Sequence, residues 1–203
     1  SVTSVVPYDG LSDTHMYAGD EFTLDAYWHA MLIGSSNKSV LTLARASGWS
    51  EEAFVARMNE KAMELGMEHT HFSDPSGLDD RNMSTAHDVA ILLREALRHD
   101  RIRETVSLTE YTLPASGGRG AHHMWSTNWL LLPGWIPHDF GAMPPIGKTG
   151  YTVQAGFNFA GFFTDEKPGR TLFVVALGAE AHEKRFTETR DIPRSVFENY
   201  ILP

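Results

Sequence analysis

Ile146-Gly147-Lys148-Thr149-Gly150-Tyr151-Thr152 is the stretch on which the fold reading of this 203-residue chain turns. It reads as a strand. It also carries a lysine, a hydroxyl and a bare glycine in line. Lys148 offers a positive charge, Thr149 a hydroxyl, and Gly150 lets a ligand lie close to backbone. Two further strand-like runs follow at 157–164 and 171–177, with a polar loop at 165–169 between them. The pattern predicts a meander of three strands, with 146–152 as the edge strand facing a cleft.

Upstream, the periodicity turns helical. Thr23 is placed to cap a helix over 24–33, with Leu24, Tyr27, Trp28, Met31 and Leu32 on one face. Gly34 breaks that pattern, Ser35-Ser36-Asn37 follows, and a second apolar run begins at Val40. A polar turn between two buried helices needs hydrogen-bond partners inside the protein. Ser50 is a candidate cap for a helix over 51–65, with Phe54, Met58, Ala62 and Leu65 at helical spacing and Gly66 to end it. Asp74-Pro75-Ser76-Gly77 reads as a tight turn. Ser84 is expected to cap a helix over 85–98, buried through Ala86, Val89, Ala90, Leu93, Ala96 and Leu97.

The run 105–113 alternates and reads as a strand, and 115–121 as a Gly-rich loop. The segment 125–145, with three Trp and four Pro, predicts little regular structure; it covers a pocket or fills a surface. A helical tendency over 182–200 contains Pro193, which should start, kink or split it. At the N-terminus, 2–6 is strand-like, and Asp9-Gly10 and Gly19-Asp20 are turn signals. Helices in the middle, a strand meander and a closing helix predict an α+β domain over 1–203, an antiparallel sheet flanked by helices.

Hydrophobic residues make up 42% and charged residues 21% of the chain, the balance of an ordinary globular protein. A net charge of −9 argues against nucleic acid as a partner, since phosphate binding needs a basic face. With no Cys, there is no disulfide and no thiolate chemistry. No apolar run is long enough to span a bilayer, and residues 1–9 lack the charged and apolar regions of a signal peptide.

In this order the chain resembles the D-alanyl-D-alanine carboxypeptidases, the low-molecular-mass penicillin-binding proteins, a serine peptidase family. The likeness spans nearly the whole chain in co-linear blocks. They are Gly19-Asp20-Glu21-Phe22-Thr23-Leu24, Leu32-Ile33-Gly34-Ser35-Ser36-Asn37 and Met58-Asn59-Glu60-Lys61-Ala62 with Leu65-Gly66-Met67. Then come Phe72-Ser73-Asp74-Pro75-Ser76-Gly77-Leu78 with Ser84-Thr85-Ala86, Thr127-Asn128-Trp129-Leu130-Leu131, and Gly147-Lys148-Thr149-Gly150-Tyr151-Thr152. Lys-Thr-Gly is one of the three blocks that mark such enzymes, with Ser-x-x-Lys and Ser-x-Asn as the others. The resemblance implies a β-lactamase/transpeptidase-like fold. It implies Ser35 and Asn37 as the Ser-x-Asn pair, the serine relaying protons and the asparagine holding the nucleophile's lysine and the substrate amide. Ser36 stands where the family usually has glycine. Lys148 and Thr149 would grip the substrate's terminal carboxylate beside Gly150. The backbone N–H of Tyr151 would serve the oxyanion hole, where preorganised donors matter most. Arg185 is set for the same carboxylate as Lys148, or is a solvated helix charge.

The nucleophile block is missing. The family's Ser-x-x-Lys lies well upstream of Ser-x-Asn, on a buried helix; the serine attacks, and a lysine of lowered pKa takes its proton. No serine before Ser35 has a lysine three positions on. The literal match Ser35-Ser36-Asn37-Lys38 would have one tetrapeptide serve as two blocks, so Lys38 is expected as a solvated or cleft-rim charge. The chain thus resembles a carboxypeptidase domain without its N-terminal part, which would also supply strands beside 171–177. Truncation or cleavage, an upstream segment in a separate chain, and natural degeneracy are the three accounts.

The resemblance implies peptidoglycan stem peptides ending in D-Ala-D-Ala as substrate and β-lactams as ligands. It implies no cofactor, and an exported location in the periplasm or on the outer face of the cytoplasmic membrane. Two other readings stand beside it. One is a dead relative that still binds peptidoglycan or a partner protein. The other is a metal site at His69-x-His71 or His122-His123, for which surface or loop histidines are the plainer reading.

Overall fold

In the computed structural model, described for residues 2, 3, 16, 17, 19–140, 144–167 and 169–200, the chain forms two compact units. One comprises residues 1–83 and 108–127, the other 84–107 and 128–203.

In the first unit β1 (Val2–Thr3) pairs antiparallel with β2 (Glu21–Phe22). The rest of the strand-like run 2–6 and the Asp9-Gly10 turn lie outside the described residues. The turn at Gly19-Asp20 forms, with Gly19 at φ 89°. Its Asp20 is buried, accepts from the Tyr17 N–H at 2.8 Å and pairs with Arg119. Thr23 caps α1 (Leu24–Leu32), its hydroxyl accepting from the Ala26 N–H at 3.0 Å. α2 (Asn37–Ala46) packs on α1, and α3 (Glu51–Glu64) on α2. Ser50 caps α3 as its sequence position predicts.

The buried stripe of α1 keeps Tyr27 of the expected face but is otherwise shifted toward small residues. Ala26, Tyr27, Ala30 and Ile33 are buried, whereas Leu24 is 48% exposed. Close approach of two helices selects the small side chains, and a count of large apolar residues points to the wrong side. α3 likewise buries only Ala62 of its predicted stripe. A strand pair, β3 (Glu110–Leu113) with β4 (His122–Trp125), completes this unit. Its core is Met16, Phe22, Ala26, Tyr27, Ala30, Ile33, Leu113 and Met124.

The second unit opens with α4 (Ala86–Ala96). Its cap is Thr85 rather than Ser84: the Thr85 hydroxyl accepts from the Asp88 N–H at 3.1 Å. Of the strand expected over 105–113 only β3's residues 110–113 form one; Thr105 and Val106 close a helix instead, α5 (Asp100–Val106). Thr105 there turns its hydroxyl back onto the Arg101 carbonyl at 2.7 Å, which lets a β-branched residue sit in a helical last turn.

The meander is an antiparallel sheet in the order β5–β6–β7: β5 (Ile146–Thr152), β6 (Gly156–Thr164) and β7 (Thr171–Ala179). β5 is an edge strand of that sheet, as its sequence predicts. α6 (Lys184–Asn199) packs on β6 and β7. It runs through Pro193 without splitting. Pro193 is buried inside the helix, so of the start, kink or split expected there the start and the split are overturned. The irregular segment before β5 supplies core: Leu130, Ile136 and Phe140 are buried against Phe159, Phe163, Val174 and Phe186. Asn128 fixes its entry, donating to the Pro145 carbonyl at 3.0 Å and accepting from the Leu130 N–H at 3.1 Å. The architecture is α+β, with antiparallel strands flanked by helices.

Candidate active site

Seven residues are expected in a site, and the structure divides them. Lys148, Thr149, Gly150, Tyr151 and Arg185 belong to the second unit; Ser35 and Asn37 belong to the first.

On β5, Lys148 is partly exposed, Thr149 is buried, and Gly150 and Tyr151 are exposed. Two facing glycines, Gly147 and Gly161, let β5 and β6 close tightly. A methyl group on Gly147 would lie 2.1 Å from the Ala160 carbonyl oxygen. One on Gly150 would meet only the Asn158 Cβ at 3.8 Å. Gly147 is therefore spent on packing, while Gly150 leaves the strand's outer surface bare. The ring of Tyr151 stacks on Phe157, its partner on β6, at 4.4 Å.

Arg185 comes to this strand from α6. It is buried, with 3% of its surface exposed, so the solvated-charge alternative is overturned. One guanidinium nitrogen, Nη1, donates to the Gly150 carbonyl at 3.2 Å, and Nη2 donates to His182 Nε2 at 2.6 Å. Its Nε–H, also buried, has no hydrogen-bond partner among the described residues. No carboxylate among the described residues forms a salt bridge with it. Burial brings its pKa down to about 10. Lys148 feels the same environment: burial first, and the Arg185 charge second, pull its ammonium down to about 8. Lys148 Nζ donates to the Thr149 carbonyl at 3.1 Å. Two cations held this close in a desolvated place repel each other and are costly to bury. An anion is the group that offsets that cost. A carboxylate fits the fork of donors on an arginine.

Sequence reasoning missed the walls of this cluster. His182, Phe157 and Phe186 contact the guanidinium, and Trp129 packs on His182 and Phe186 behind them. The guanidinium's central carbon lies 5.5 Å from the Phe157 ring centre and 4.8 Å from that of Phe186. Histidine 182 is an aromatic-packed acceptor rather than a loose surface histidine. The available signal was its spacing, three residues before Arg185 at a helix start, which carries no chemistry until the partner is known.

In the first unit, Ser35 sits between α1 and α2 with φ 57°, a left-handed conformation that serine rarely adopts. The Gly34 and Ser36 N–H groups both donate to the Ala30 carbonyl at 3.1 Å, and the Thr127 N–H donates to that of Ile33. These bonds answer the need for internal partners that the polar turn poses. Ser36 is fully buried and caps α2, accepting from the Ser39 N–H at 3.2 Å. Asn37 begins α2. Lys38 corrects an expectation: it is 3% exposed and donates to the Met16 carbonyl at 2.8 Å, so it is no solvated or rim charge. Among the described residues, no three His, Cys, Asp or Glu side chains group as metal ligands.

An antiparallel sheet with a Lys-Thr-Gly edge strand, an arginine buried against it, and a strained Ser-x-Asn turn between two helices define the penicillin-binding and transpeptidase class of folds. The family model for D-alanyl-D-alanine carboxypeptidase matches residues 3–181, and the chain belongs to that family. It is 31% identical over 163 residues to the D-alanyl-D-alanine endopeptidase of Haemophilus influenzae, covering 79% of this chain and 53% of that protein. It is 28% identical over 192 residues to the D-alanyl-D-alanine carboxypeptidase DacF of Bacillus subtilis, covering 94% of this chain and 47% of that protein. The chain thus spans about half the length of the curated relatives it matches. Among solved structures, a D-alanyl-D-alanine carboxypeptidase from Mycobacterium tuberculosis superposes with a TM-score of 0.75 at 26% identity, over 98% of this chain and 71% of that one. Penicillin-binding protein D2 of Listeria monocytogenes in its cefotaxime-bound form gives 0.74 at 28% identity, over 97% and 76%.

Proposed function

We propose that this chain forms the substrate-gripping part of a serine-type D-Ala-D-Ala carboxypeptidase that acts on peptidoglycan stem peptides outside the cytoplasmic membrane. The observation that carries the reading is Arg185, a buried guanidinium whose Nε–H finds no acceptor and which pairs with no carboxylate among the described residues, set beside Lys148 and Gly150. A C-terminal carboxylate is a permanent anion of matching size, and only a substrate with a free chain end brings one. Thr149 and the backbone beside Gly150 complete the grip, with Lys148 shared between binding and proton chemistry. The Tyr151 N–H is one oxyanion donor, polarising the carbonyl as its oxygen turns negative.

The names of the relatives divide between endopeptidase and carboxypeptidase. The close pair of cations favours the carboxypeptidase, whose scissile bond lies one residue from the free carboxylate. In that reaction a serine hydroxyl attacks the penultimate D-Ala carbonyl as a base takes its proton. The terminal D-Ala leaves as the amine with a proton returned to it, and water then cleaves the acyl ester. Ser35 and Asn37 are assigned the proton relay and the amide hold. The attacking serine belongs to a Ser-x-x-Lys segment that these 203 residues do not contain in the family's place. The chain by itself is expected to bind carboxylate peptides and β-lactams weakly and to form no acyl-enzyme.

Calorimetric titration with a D-Ala-D-Ala peptide and with its C-terminal amide tests the grip. Preference for the free acid supports the reading, and equal binding of both overturns it. Incubation with a labelled penicillin tests the rest, since a stoichiometric covalent adduct on this chain would refute the missing nucleophile.

A further inference from the structure

We infer that His182 is a positioning residue: its uncharged imidazole holds the Arg185 guanidinium in the orientation that receives the substrate carboxylate. The inference rests on the carboxylate-binding reading of Arg185.

The geometry is specific. Arg185 Nη2 lies 2.6 Å from His182 Nε2. A guanidinium has donors only, so the imidazole nitrogen facing it must offer a lone pair. That assigns the single ring proton to Nδ1, which is buried with no hydrogen-bond partner among the described residues. The ring is held by contacts rather than by a second hydrogen bond. Trp129 lies 4.0 Å from it between ring centres, Phe157 5.5 Å and Phe186 5.8 Å. With Nη2 tied to His182 and Nη1 tied to the Gly150 carbonyl, the guanidinium plane is fixed at two corners. Fixing it beforehand removes an ordering cost from ligand binding.

The same contact makes the grip sensitive to protonation. The charged groups acting on the ring are Arg185 and Glu183, on the turn and helix that follow it. β6 presents Phe157 to it, the segment before β5 presents Trp129, and α6 adds Phe186. Burial first and Arg185 second hold the imidazole below its usual pKa, with Glu183 opposing them. Once protonated, Nε2 carries a hydrogen toward the Arg185 donor, and two like charges share one short contact. Arg185 then turns away from the orientation that the neutral ring imposes.

The experiment compares four proteins, each as the full chain: the parent, His182→Phe, His182→Gln and Arg185→Gln. The D-Ala-D-Ala peptide and its C-terminal amide are titrated onto each between pH 5 and 8, and circular dichroism verifies that each is folded. The phenylalanine keeps the ring stack and removes the acceptor. It is expected to lower the preference for free acid over amide by about ten-fold, the order of one charge-assisted hydrogen bond. Glutamine offers an accepting oxygen that does not titrate. It is expected to keep the preference and to abolish the fall in free-acid affinity that the parent shows toward the acid end of that pH range. Parental acid preference and pH profile in His182→Phe would overturn the inference, as would a His182→Gln profile that still follows the parent's. Arg185→Gln separates the two layers. If it removes the acid preference while His182→Phe does not, the carboxylate site stands and the role of His182 falls. If the parent itself shows no acid preference, both fall.

Discussion

Replacing Gly147 by alanine should unfasten the strand that carries Lys148, whereas the same change three residues along should not. An added Cβ at Gly147 would lie 2.1 Å from the Ala160 carbonyl oxygen and 2.9 Å from the Gly161 Cα. Both atoms are backbone of β6, so no side chain can swing aside. Real Cβ contacts stay beyond 3.0 Å, which requires β5 and β6 to part by roughly 1 Å at this rung. Overpacking of that kind costs about 1–3 kcal/mol, and a weakened ladder bond adds about 1 kcal/mol. The expected loss is about 2–4 kcal/mol. For a chain of this length that lowers Tm by roughly 5–15 °C, at about 2–4 °C per kcal/mol. At Gly150 the added methyl group meets only the Asn158 Cβ at 3.8 Å, an ordinary contact, and the cost should stay within about 1 kcal/mol. Paired urea unfolding curves of Gly147→Ala and Gly150→Ala measure the contrast. Equal stability of the two variants would refute the claim that Gly147 serves packing and Gly150 does not.

Two further outcomes follow from the cation pair. Arg185→Met removes a buried charge that has no carboxylate partner among the described residues; the ligand-free protein should gain about 1 kcal/mol or more by urea unfolding while free-acid peptide affinity falls at least about ten-fold, and a loss of stability would count against the desolvation argument. Lys148, held down to about 8, should lose its charge and part of the peptide affinity as pH rises through that value, with Lys148→Gln flat over the same range. The unfolded chain keeps its lysine proton up to the ordinary 10.5, so between about 8 and 10.5 it binds more protons than the folded chain. Stability should therefore rise with pH across the window in which affinity declines, and parallel trends would sink the assignment.

Much of the fold is legible in the residues because local signals and tertiary demands coincide. Thr23 and Ser50 cap where their hydroxyls are expected, and the three-strand meander falls within two residues of its predicted limits. The failures have physical causes. Thr105 reads as a strand residue, yet its hydroxyl finds a helical carbonyl one turn back. Pro193 reads as a start, kink or split, yet α6 continues unsplit through it with the proline buried. The face of α1 is chosen by how closely a second helix can approach, a quantity absent from its own periodicity. Gly147 and Gly150 look alike in sequence; only the opposing strand gives them different work.

The site is legible to a different degree, since a motif names its side chains but not their surroundings. Lys148-Thr149-Gly150 announces a hydroxyl and a charge on a strand. It does not announce that the charge lies in a desolvated place beside a second one. That fact depends on Arg185, thirty-five residues downstream, and on the rings of Phe157 and Phe186 around it. Lys38 shows the same gap from the opposite side. A lysine after Ser-Ser-Asn reads as a surface charge, yet it is buried and hydrogen-bonded to the Met16 carbonyl. A buried cation satisfied by carbonyl oxygens holds structure together. A buried cation with donors left over carries a cost that the fold alone does not recover. Lys38 meets a carbonyl at 2.8 Å, whereas Arg185 keeps a buried N–H without an acceptor among the described residues; this difference points to Arg185 as the residue waiting for an anion.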